Sequence, residues 1–204
     1  MIKVENVSVY NLARAVYSAR NALGSWGKSD SDLEHDVLGE SDLGLARKLV
    51  RAGSPHRKWM RQVFVTMDIT TNHTVWQQLD TYKVSTVRNS CSKMHTIHKK
   101  PFEMSDFSHE GLTDLEQDIV LESMINVLNE LREKFIETND RRYWRAMIDI
   151  LPMGYNIKAT LTLNYEVVLN IILQRRGHKM KEWDVLCDAL MGLPYMEQFV
   201  EVAR

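Results

Sequence analysis

The sequence predicts an α+β fold in a single domain that spans residues 1–204. Two segments, 62–70 and 155–163, alternate apolar and polar side chains as half-buried strands do. A helical pattern follows each strand, so a strand-then-helix unit occurs twice, at 62–81 and 155–176. The length of 204 residues, with 44% hydrophobic and 26% charged residues, fits one ordinary globular domain.

The first part of the chain is predicted to hold a strand, a helix and a loop. Residues 2–10 alternate and predict the opening strand. Residues 11–24 have helical spacing, with Asn11 as the N-cap and Gly24 just beyond the end. The segment 25–42 is rich in glycine, serine and aspartate, which predicts a loop.

Two further helical segments are predicted before residue 83. Inside the loop, Ser31 and Glu34 have the spacing of a capping box, which predicts a helical turn. Residues 43–53 have helical periodicity that stops at Gly53, and residues 72–82 have helical spacing after the second strand.

A long helix is predicted in the middle of the chain. The stretch 83–100 is polar and follows neither the strand period nor the helix period. Thr113 and Glu116 form a second capping box, which opens an amphipathic helix that runs to Thr138.

The C-terminal third is predicted to hold three helices and one strand. The helix 140–150 has to end before Pro152, because a proline disfavours helical geometry in the residue before it. After the strand, residues 164–176 form a helix whose N-cap is its first residue, an asparagine. A final helix, 184–204, is expected to break or kink at Pro194.

Charge, cysteine content and hydropathy argue against several classes of protein. The formal net charge of −1 argues against non-specific binding of nucleic acid as the main activity. Cys91 and Cys187 are too few for a disulfide framework. The longest apolar run, 167–173, is too short to span a bilayer, and the charged N-terminus does not have the pattern of a signal peptide. We therefore expect a protein of the reducing cytoplasm with no membrane partner.

Residues 80–95 form the most unusual segment. The sequence DTYKVSTVRNSCSKMH combines cations, hydroxyls, an amide and a thiol. Such a loop can present N–H groups and side chains to a phosphate, although a solvated loop explains the composition equally well. Cys91, which is flanked by cations, is either an activated thiol or an inert one. His95 and His98 have metal-ligand spacing, but no further ligand is placed to complete a site, so no metal is predicted.

A second candidate segment lies at residues 163–179. Asn170 interrupts an apolar stretch, where a buried amide would need a hydrogen-bond partner. Arg175 belongs to the basic end of the same helix, about 140° from Asn170 around the helix axis. A surface-facing asparagine, and basic residues stabilised by the helix dipole, remain the open alternative.

Residues 80–95 and 151–183 together resemble the flavin-dependent thymidylate synthases. The signature loop of that family places basic residues around a histidine, followed by serine, an asparagine-type position and serine before an arginine. Residues 82–94 are similar, with Asn89 and Ser92 in register and Lys83 in the place of the histidine.

The C-terminal motif of the family matches more closely. It comprises a Leu-Pro pair, a strand, two asparagines, an arginine, a histidine and a tryptophan. Here these residues are Leu151, Pro152, Asn164, Asn170, Arg175, His178 and Trp183. The spacing from Pro152 to Arg175 overlays without gaps and slips slightly at His178, and the whole resemblance covers residues 50–183.

The resemblance implies a homotetramer with an antiparallel sheet flanked by helices, in which FAD and dUMP bind between subunits. It implies that FAD contacts Lys83, Arg88, Asn89, Asn164, Asn170 and His178. It implies that the nucleotide contacts Ser90, Cys91, Ser92, Lys93 and Arg175. Arg175 and Ser92 are the implied catalytic residues. The implied reaction converts dUMP to dTMP, with methylenetetrahydrofolate as the one-carbon donor and NADPH as the reductant of the flavin.

The sequence departs from the family pattern where arginines are expected. Tyr82 and Val84 stand at the two positions beside Lys83, Met94 replaces the arginine that closes the loop, and Ile148 replaces another cation. Candidate replacements for the lost charges are His56, Arg57, Lys58 and Arg61.

These departures leave alternatives open. The site could be retuned for UMP, or could make a hydroxymethylated product, as a phage with modified DNA would need. The chain could also bind nucleotide and FAD without catalysis. The resemblance is to divergent members common in phages, so the expected cytoplasm is that of the host if a phage encodes the chain.

Overall fold

The computed structural model describes residues 1–203, except for the side chain of Asp118. One sheet has the strand order β1-β2-β4-β3. Its strands are β1 (Ile2–Tyr10), β2 (Phe64–Asn72), β3 (Val87–Ser90) and β4 (Asn156–Asn164). The side chains of Thr66 and Thr162 hydrogen-bond to each other, as do those of Asp68 and Thr160. Later residues of β2 therefore pair with earlier residues of β4, which shows that these two central strands are antiparallel.

Helices precede and follow these strands, which confirms the predicted α+β class. They are α1 (Leu12–Ala19), α2 (Glu40–Arg51), α3 (His73–Leu79), α4 (Lys93–Thr96), α5 (Asp114–Glu116), α6 (Glu122–Thr138), α7 (Arg141–Ile150), α8 (Tyr165–Arg175), α9 (Glu182–Met191) and α10 (Met196–Ala203). A π-helical segment, Gln117–Leu121, continues α5 into α6. None of the helices among residues 1–203 has the length and apolarity needed to cross a membrane.

Contacts between residues divide the chain into two compact units, and four of the five unit boundaries fall within strands. The first unit comprises residues 1–3, 69–81 and 89–159, and the second comprises residues 4–68, 82–88 and 160–204. That the whole chain acts as one domain stays a prediction.

The core of the first unit is built around α6 and α7. Leu128 and Met147 are fully buried there. They belong to a cluster that also contains Ile97, Phe102, Phe107, Leu121 and Ile125. The helical stretch begins at the predicted capping box, in which Thr113 and Glu116 each bond the other's backbone, and α6 ends at Thr138.

The core of the second unit contains α8, α9 and α10. The rings of Trp59 and Phe199 meet edge to face at 5.4 Å, and the buried Tyr165 hydroxyl donates to the Pro194 carbonyl at 3.1 Å. Cys187 is buried in α9. The predicted interruption near Pro194 is confirmed, since α9 ends at Met191 and α10 begins at Met196.

The repeated strand-then-helix unit is confirmed, and each copy is joined by a capping asparagine. Asn72 ends β2 and accepts a hydrogen bond from the Val75 N–H at 3.0 Å, at the start of α3. Asn164 ends β4 and accepts from the Val167 N–H at 2.9 Å, at the start of α8. Both asparagines are buried.

The predicted cap of α1 is wrong. Asn11 has a left-handed backbone (φ 69°) and makes no side-chain cap, because its amide donates to the Gln62 carbonyl. The carboxylate of Asp36 instead accepts the N–H groups of Leu12 and Ala13, at 3.0 and 2.6 Å. Helix α1 also ends at Ala19, and a 3-10 turn carries the chain to a left-handed Gly24.

The predicted capping box at Ser31 and Glu34 is also wrong. The carboxylate of Asp32 accepts the N–H groups of Glu34 and His35. Ser31 instead donates its hydroxyl to the carboxylate of Asp42, a fully buried residue of α2.

Asp42 is the centre of a buried polar network in the second unit. Besides Ser31, it accepts hydrogen bonds from Ser29 at 2.5 Å and from Arg20 at 2.6 Å. Arg20 is itself buried and also donates to the Ser41 hydroxyl. The charged pair therefore has the hydrogen bonds that a buried ion pair requires.

The polar stretch 83–100 contains a strand and a short helix that the sequence pattern does not predict. All four residues of β3 are exposed, so its side chains do not alternate between buried and solvated environments. The period that signals a half-buried strand is therefore missing.

Candidate functional site

In the first unit, the candidate phosphate-binding residues occupy the turn between β3 and α4. The Cys91 N–H donates to the Lys158 carbonyl at 3.0 Å, which ties the end of β3 to β4. Ser90, Cys91 and Ser92 are exposed, so two hydroxyls and a thiol are accessible at this turn. Because they are neighbours in the chain, these residues lie together, and their backbone is anchored to the sheet. They are Ser90, Cys91, Ser92 and Lys93.

The turn is held by its own hydrogen bonds. The Ser92 carbonyl accepts from the Thr96 hydroxyl at 2.8 Å and from the His95 N–H at 3.1 Å. The Thr96 hydroxyl also lies 3.5 Å from the Cys91 sulfur. These contacts fix the backbone of the turn and leave the Ser90 and Ser92 hydroxyls outside the local network.

Lys93 has an unusual environment for a lysine. Its side chain is half-buried, and Nζ lies 3.0 Å from Nε2 of His73. Among the described residues, no carboxylate lies within ion-pair distance of this ammonium. Burial lowers the pKa of Lys93, because it removes water from the charged form.

A cavity of about 330 Å³ adjoins the turn. Ile97 and Phe102 contribute apolar surface, and Cys91, Thr96 and Tyr155 contribute polar atoms. Lys100 and Asp106, which form an ion pair, also line it. Burial raises the pKa of Tyr155, so its phenol stays protonated and can donate a hydrogen bond at neutral pH.

In the second unit, Arg175 lies against two aromatic rings at the end of α8. Its Nε donates to the Tyr82 hydroxyl at 3.0 Å. Its guanidinium carbon lies 4.7 Å from the centre of the buried Trp183 ring and 5.7 Å from that of Tyr82. The Tyr82 hydroxyl in turn donates to the Gln174 side chain at 3.1 Å. The guanidinium plane is therefore fixed before any ligand arrives.

His178 lies close to this cluster. Its N–H donates to the Arg175 carbonyl at 3.0 Å, and its ring centre is 6.2 Å from that of Trp183. Its Nδ1 accepts the Met180 N–H at 3.1 Å. In the neutral ring the proton is therefore on Nε2, which becomes the donor.

The other predicted cofactor-binding residues have different environments. Lys83, Arg88 and Asn89 are exposed, and Asn170 is half-buried in α8. Asn164 is buried, and its side-chain oxygen is already used to cap α8. The amide nitrogen of Asn164 makes no hydrogen bond among the described residues and is the group that it would offer to a ligand.

The structure adds four residues to those that the sequence points to as ligand contacts. Tyr82 stands where the family pattern has an arginine, yet it holds Arg175, 93 positions away. Gln174 and Trp183 complete that cluster, and His73 pairs with Lys93. The contacts of Tyr82 with Arg175 and Gln174, and of His73 with Lys93, join distant positions, so no local pattern could have found them. Trp183 already belongs to the C-terminal motif, but its contact with Arg175 is visible only in the structure.

One suggested replacement cation is engaged elsewhere. Arg57 donates from Nε and from a terminal nitrogen to the carboxylate of Glu166, at 2.9 to 3.1 Å. Both side chains are about nine-tenths buried. This bidentate pair occupies the hydrogen-bonding edge that Arg57 would offer to a phosphate.

The comparison with solved structures identifies the fold. The flavin-dependent thymidylate synthase ThyX of Helicobacter pylori, complexed with FAD and dUMP, matches with a TM-score of 0.71 and 19% identity over 97% of both chains. The chain has the fold of a flavin-dependent thymidylate synthase. A second structure of ThyX with FAD and dUMP matches over 100% of both chains, with a TM-score of 0.69 and 19% identity.

A third solved structure with the thymidylate synthase fold is a methylase that is named for two nucleotides, UMP and dUMP. The UMP/dUMP methylase PolB of Streptomyces cacaoi, bound with 5-Br UMP, has a TM-score of 0.68 and 15% identity, over 100% of this chain and 95% of PolB. No protein-family model and no curated protein matches the sequence. The expected likeness to flavin-dependent thymidylate synthases is thus confirmed in three dimensions, at low sequence identity.

Proposed function

We propose that this chain is a flavin-dependent enzyme that adds a one-carbon unit to C5 of a uridine nucleotide, with dUMP to dTMP as the reaction. The observation that carries the proposal is the likeness in fold, over 97% of the chain, to ThyX complexed with FAD and dUMP. The turn after β3 and the residues around Arg175 supply groups that suit FAD and dUMP as ligands.

The phosphate of the nucleotide is assigned to the turn after β3. Ser90 and Ser92 offer exposed hydroxyls, and Lys93 offers an ammonium without a described carboxylate partner. Hydroxyls and a cation on an anchored turn are suitable donors to phosphate oxygens. Cys91 is assigned a contact role in the same turn, with its exposed thiol.

The pyrimidine base is assigned to Arg175. A guanidinium is planar and donates two parallel hydrogen bonds, which suits the carbonyl oxygens of a uracil ring. Tyr82 and Trp183 hold the guanidinium in place, so less side-chain freedom is lost when the base binds. We assign Arg175 and Ser92 as the catalytic residues because they are the proposed contacts of the base and of the phosphate.

The residues proposed for FAD fit its chemistry. Lys83 and Arg88 are exposed cations that suit a diphosphate, and the amides of Asn89 and Asn170 suit the polar edge of a flavin ring. His178 has Nε2 as its donor in the neutral ring. When bound, the flavin supplies the redox chemistry, with NADPH as its reductant and methylenetetrahydrofolate as the carbon source.

The same proposal includes a homotetramer. Large apolar side chains are exposed on the first turns before α6, where Leu115, Ile119 and Val120 are each more than half exposed. A second copy of the chain would cover such a surface.

UMP is a second candidate substrate. The matching methylase PolB is named for both UMP and dUMP, and a retuned site with fewer arginines is consistent with a different nucleotide. A hydroxymethylated product and a homologue that binds without catalysis are the remaining alternatives.

The experiment is a titration of the purified protein followed by a turnover assay. FAD is added first, and then dUMP or UMP, while the flavin absorption bands are recorded. We expect the bands to shift with dUMP at lower concentration than with UMP. Mass analysis after addition of methylenetetrahydrofolate and NADPH should show dTMP.

Two controls make that result interpretable. Arg175→Ala should retain the flavin bands and lose the shift with nucleotide, whereas Arg14→Ala, at a surface cation–ring pair elsewhere, should behave like the unmodified chain. Absence of flavin binding and of any nucleotide effect would refute the proposal. Flavin and nucleotide binding without product would favour the non-catalytic alternative.

A further inference from the structure

The pairing of Lys93 with His73 is the strongest feature that the proposed function leaves unexplained. The Lys93 ammonium is half-buried and has no carboxylate partner among the described residues. Its one hydrogen bond there is to His73, at 3.0 Å. A partly desolvated cation without a counter-ion is costly, so a neighbouring anion would stabilise it.

His73 is held rigidly. It is the first residue of α3, directly after the capping Asn72, which is 5% exposed. The His73 N–H donates to the Met153 carbonyl at 3.1 Å. Two hydrogen bonds at the start of the helix therefore fix the backbone from which the imidazole extends.

The chemistry of the pair assigns the roles of the two nitrogens. A lysine ammonium is a donor only, so Nε2 of His73 has to accept, and the imidazole is neutral with its proton on Nδ1. One of the three ammonium N–H groups is used in this bond. Two remain for the oxygens of an anion.

We propose that His73 is a positioning residue that holds the Lys93 ammonium for the phosphate of the nucleotide. This inference rests on the proposed function, in which the turn after β3 binds that phosphate. An arginine brings its own planar, pre-organised fork to a phosphate, whereas a lysine is a point charge on a flexible chain. In a loop that lacks the closing arginine, an acceptor that fixes the ammonium supplies the missing geometry.

The test compares binding of inorganic phosphate, dUMP and deoxyuridine by four forms of the FAD-loaded protein. These forms are the unmodified chain, His73→Ala, Lys93→Ala and the double variant. We expect His73→Ala to weaken phosphate and dUMP about fivefold to tenfold, the effect of one lost hydrogen bond of about 1 kcal/mol. Deoxyuridine, which has no phosphate, should bind all four forms equally.

The double variant and a conservative variant separate positioning from folding. If His73 acts through Lys93, the double variant should bind phosphate as Lys93→Ala does, since the effects are coupled. His73→Gln keeps an acceptor oxygen and should recover most of the affinity. Thermal unfolding without ligand should show that each variant folds.

Four results would overturn the inference. The first is that His73→Ala weakens deoxyuridine and dUMP equally, and the second is that it leaves the phosphate affinity unchanged. The third is that His73→Ala weakens phosphate binding further in the Lys93→Ala background. The fourth is that the unmodified chain does not bind phosphate. Phosphate binding that depends on both residues, without any binding of dUMP or UMP, would support the pair and refute the proposed function.

Discussion

At the scale of single residues, Tyr82 orients another side chain of the candidate site. The family pattern has an arginine where this chain has Tyr82. A tyrosine cannot replace the positive charge, but its hydroxyl accepts from Arg175 and donates to Gln174. The position thus contributes orientation to a second cation rather than a charge of its own.

Tyr82→Phe tests that role. The ring remains beside Arg175, whereas the hydroxyl that accepts from Nε is lost. We expect KM for the proposed uridine-nucleotide substrate to rise about tenfold, because one hydrogen bond to a charged group is worth about 1.5 kcal/mol or more. Steady-state kinetics measure this effect. Tyr17→Phe keeps the ring of another arginine–tyrosine pair and should leave KM unchanged; equal effects of the two variants would contradict the assignment.

At the scale of elements, two buried asparagines join strands to helices in the same way. Asn72 joins β2 to α3, and Asn164 joins β4 to α8, each through a hydrogen bond to the N–H three residues later. Because one side chain terminates the strand and starts the helix, the direction in which the helix leaves the sheet depends on it.

Replacement of either asparagine by alanine should destabilise the protein. We expect a loss of about 1–2 kcal/mol in the free energy of unfolding, since the cap is lost and the N–H is left buried. Urea unfolding without added flavin or nucleotide measures this loss. Asn72→Ser and Asn164→Ser keep an acceptor and should recover at least half of it. Full loss with serine would show that the amide group has another essential contact.

The elements were largely predictable from the sequence because their signals are local. The apolar periods of β2, β4 and α6 lie within each element, and the caps at Asn164 and Thr113 lie within three residues of their partners. The cap of α1 was not predictable, because Asp36 is 24 residues from the N–H it accepts.

The candidate site was predictable only in outline. Family-like motifs point to the turn after β3 and to the end of α8. The contacts that orient Arg175 and Lys93 come from Tyr82 and His73, which are 93 and 20 residues away. Side-chain contacts of this kind depend on the packing of distant segments, and they leave no periodic signal in the sequence.

At the scale of the whole molecule, the buried Arg20–Asp42 pair connects stability to pH. Burial alone would raise the pKa of Asp42, but hydrogen bonds from Ser29, Ser31 and Arg20 outweigh it and hold the pKa below its ordinary value of 3.8. The stabilisation is therefore present above pH 3.8 and is lost as the pH falls through the lower, folded-state pKa.

Asp42→Asn should remove this contribution to the acid dependence of stability. It should also lower the free energy of unfolding at neutral pH by about 3–5 kcal/mol, because Arg20 would be left buried without its counter-ion. Ser29→Ala, a milder change, should raise the pKa of Asp42 and move the acid loss to higher pH. Unfolding free energies measured across the acid range test both variants. Glu201→Gln, in an exposed pair with Arg47, is the control and should change little.

Self-association is the second property of the whole molecule. Ile119 is 59% exposed in the π-helical segment, so a charge there should disfavour contact with another copy. We expect light scattering of the unmodified chain to give a tetramer, and Ile119→Glu to give smaller species. Leu23→Glu, at an 88% exposed site in the second unit, should leave the tetramer intact. If the unmodified chain is monomeric at all concentrations, the expected tetramer is contradicted.

The two cysteines provide a footprint of the site without any substitution. Cys187 is buried, and burial raises its pKa to about 11, so at neutral pH an alkylating reagent finds it both inaccessible and protonated. Cys91 is exposed between the two serines proposed to hold phosphate. Iodoacetamide should therefore alkylate the native chain at Cys91. A ligand bound at the turn should slow this alkylation, and the dependence of the rate on ligand concentration gives the affinity of the ligand.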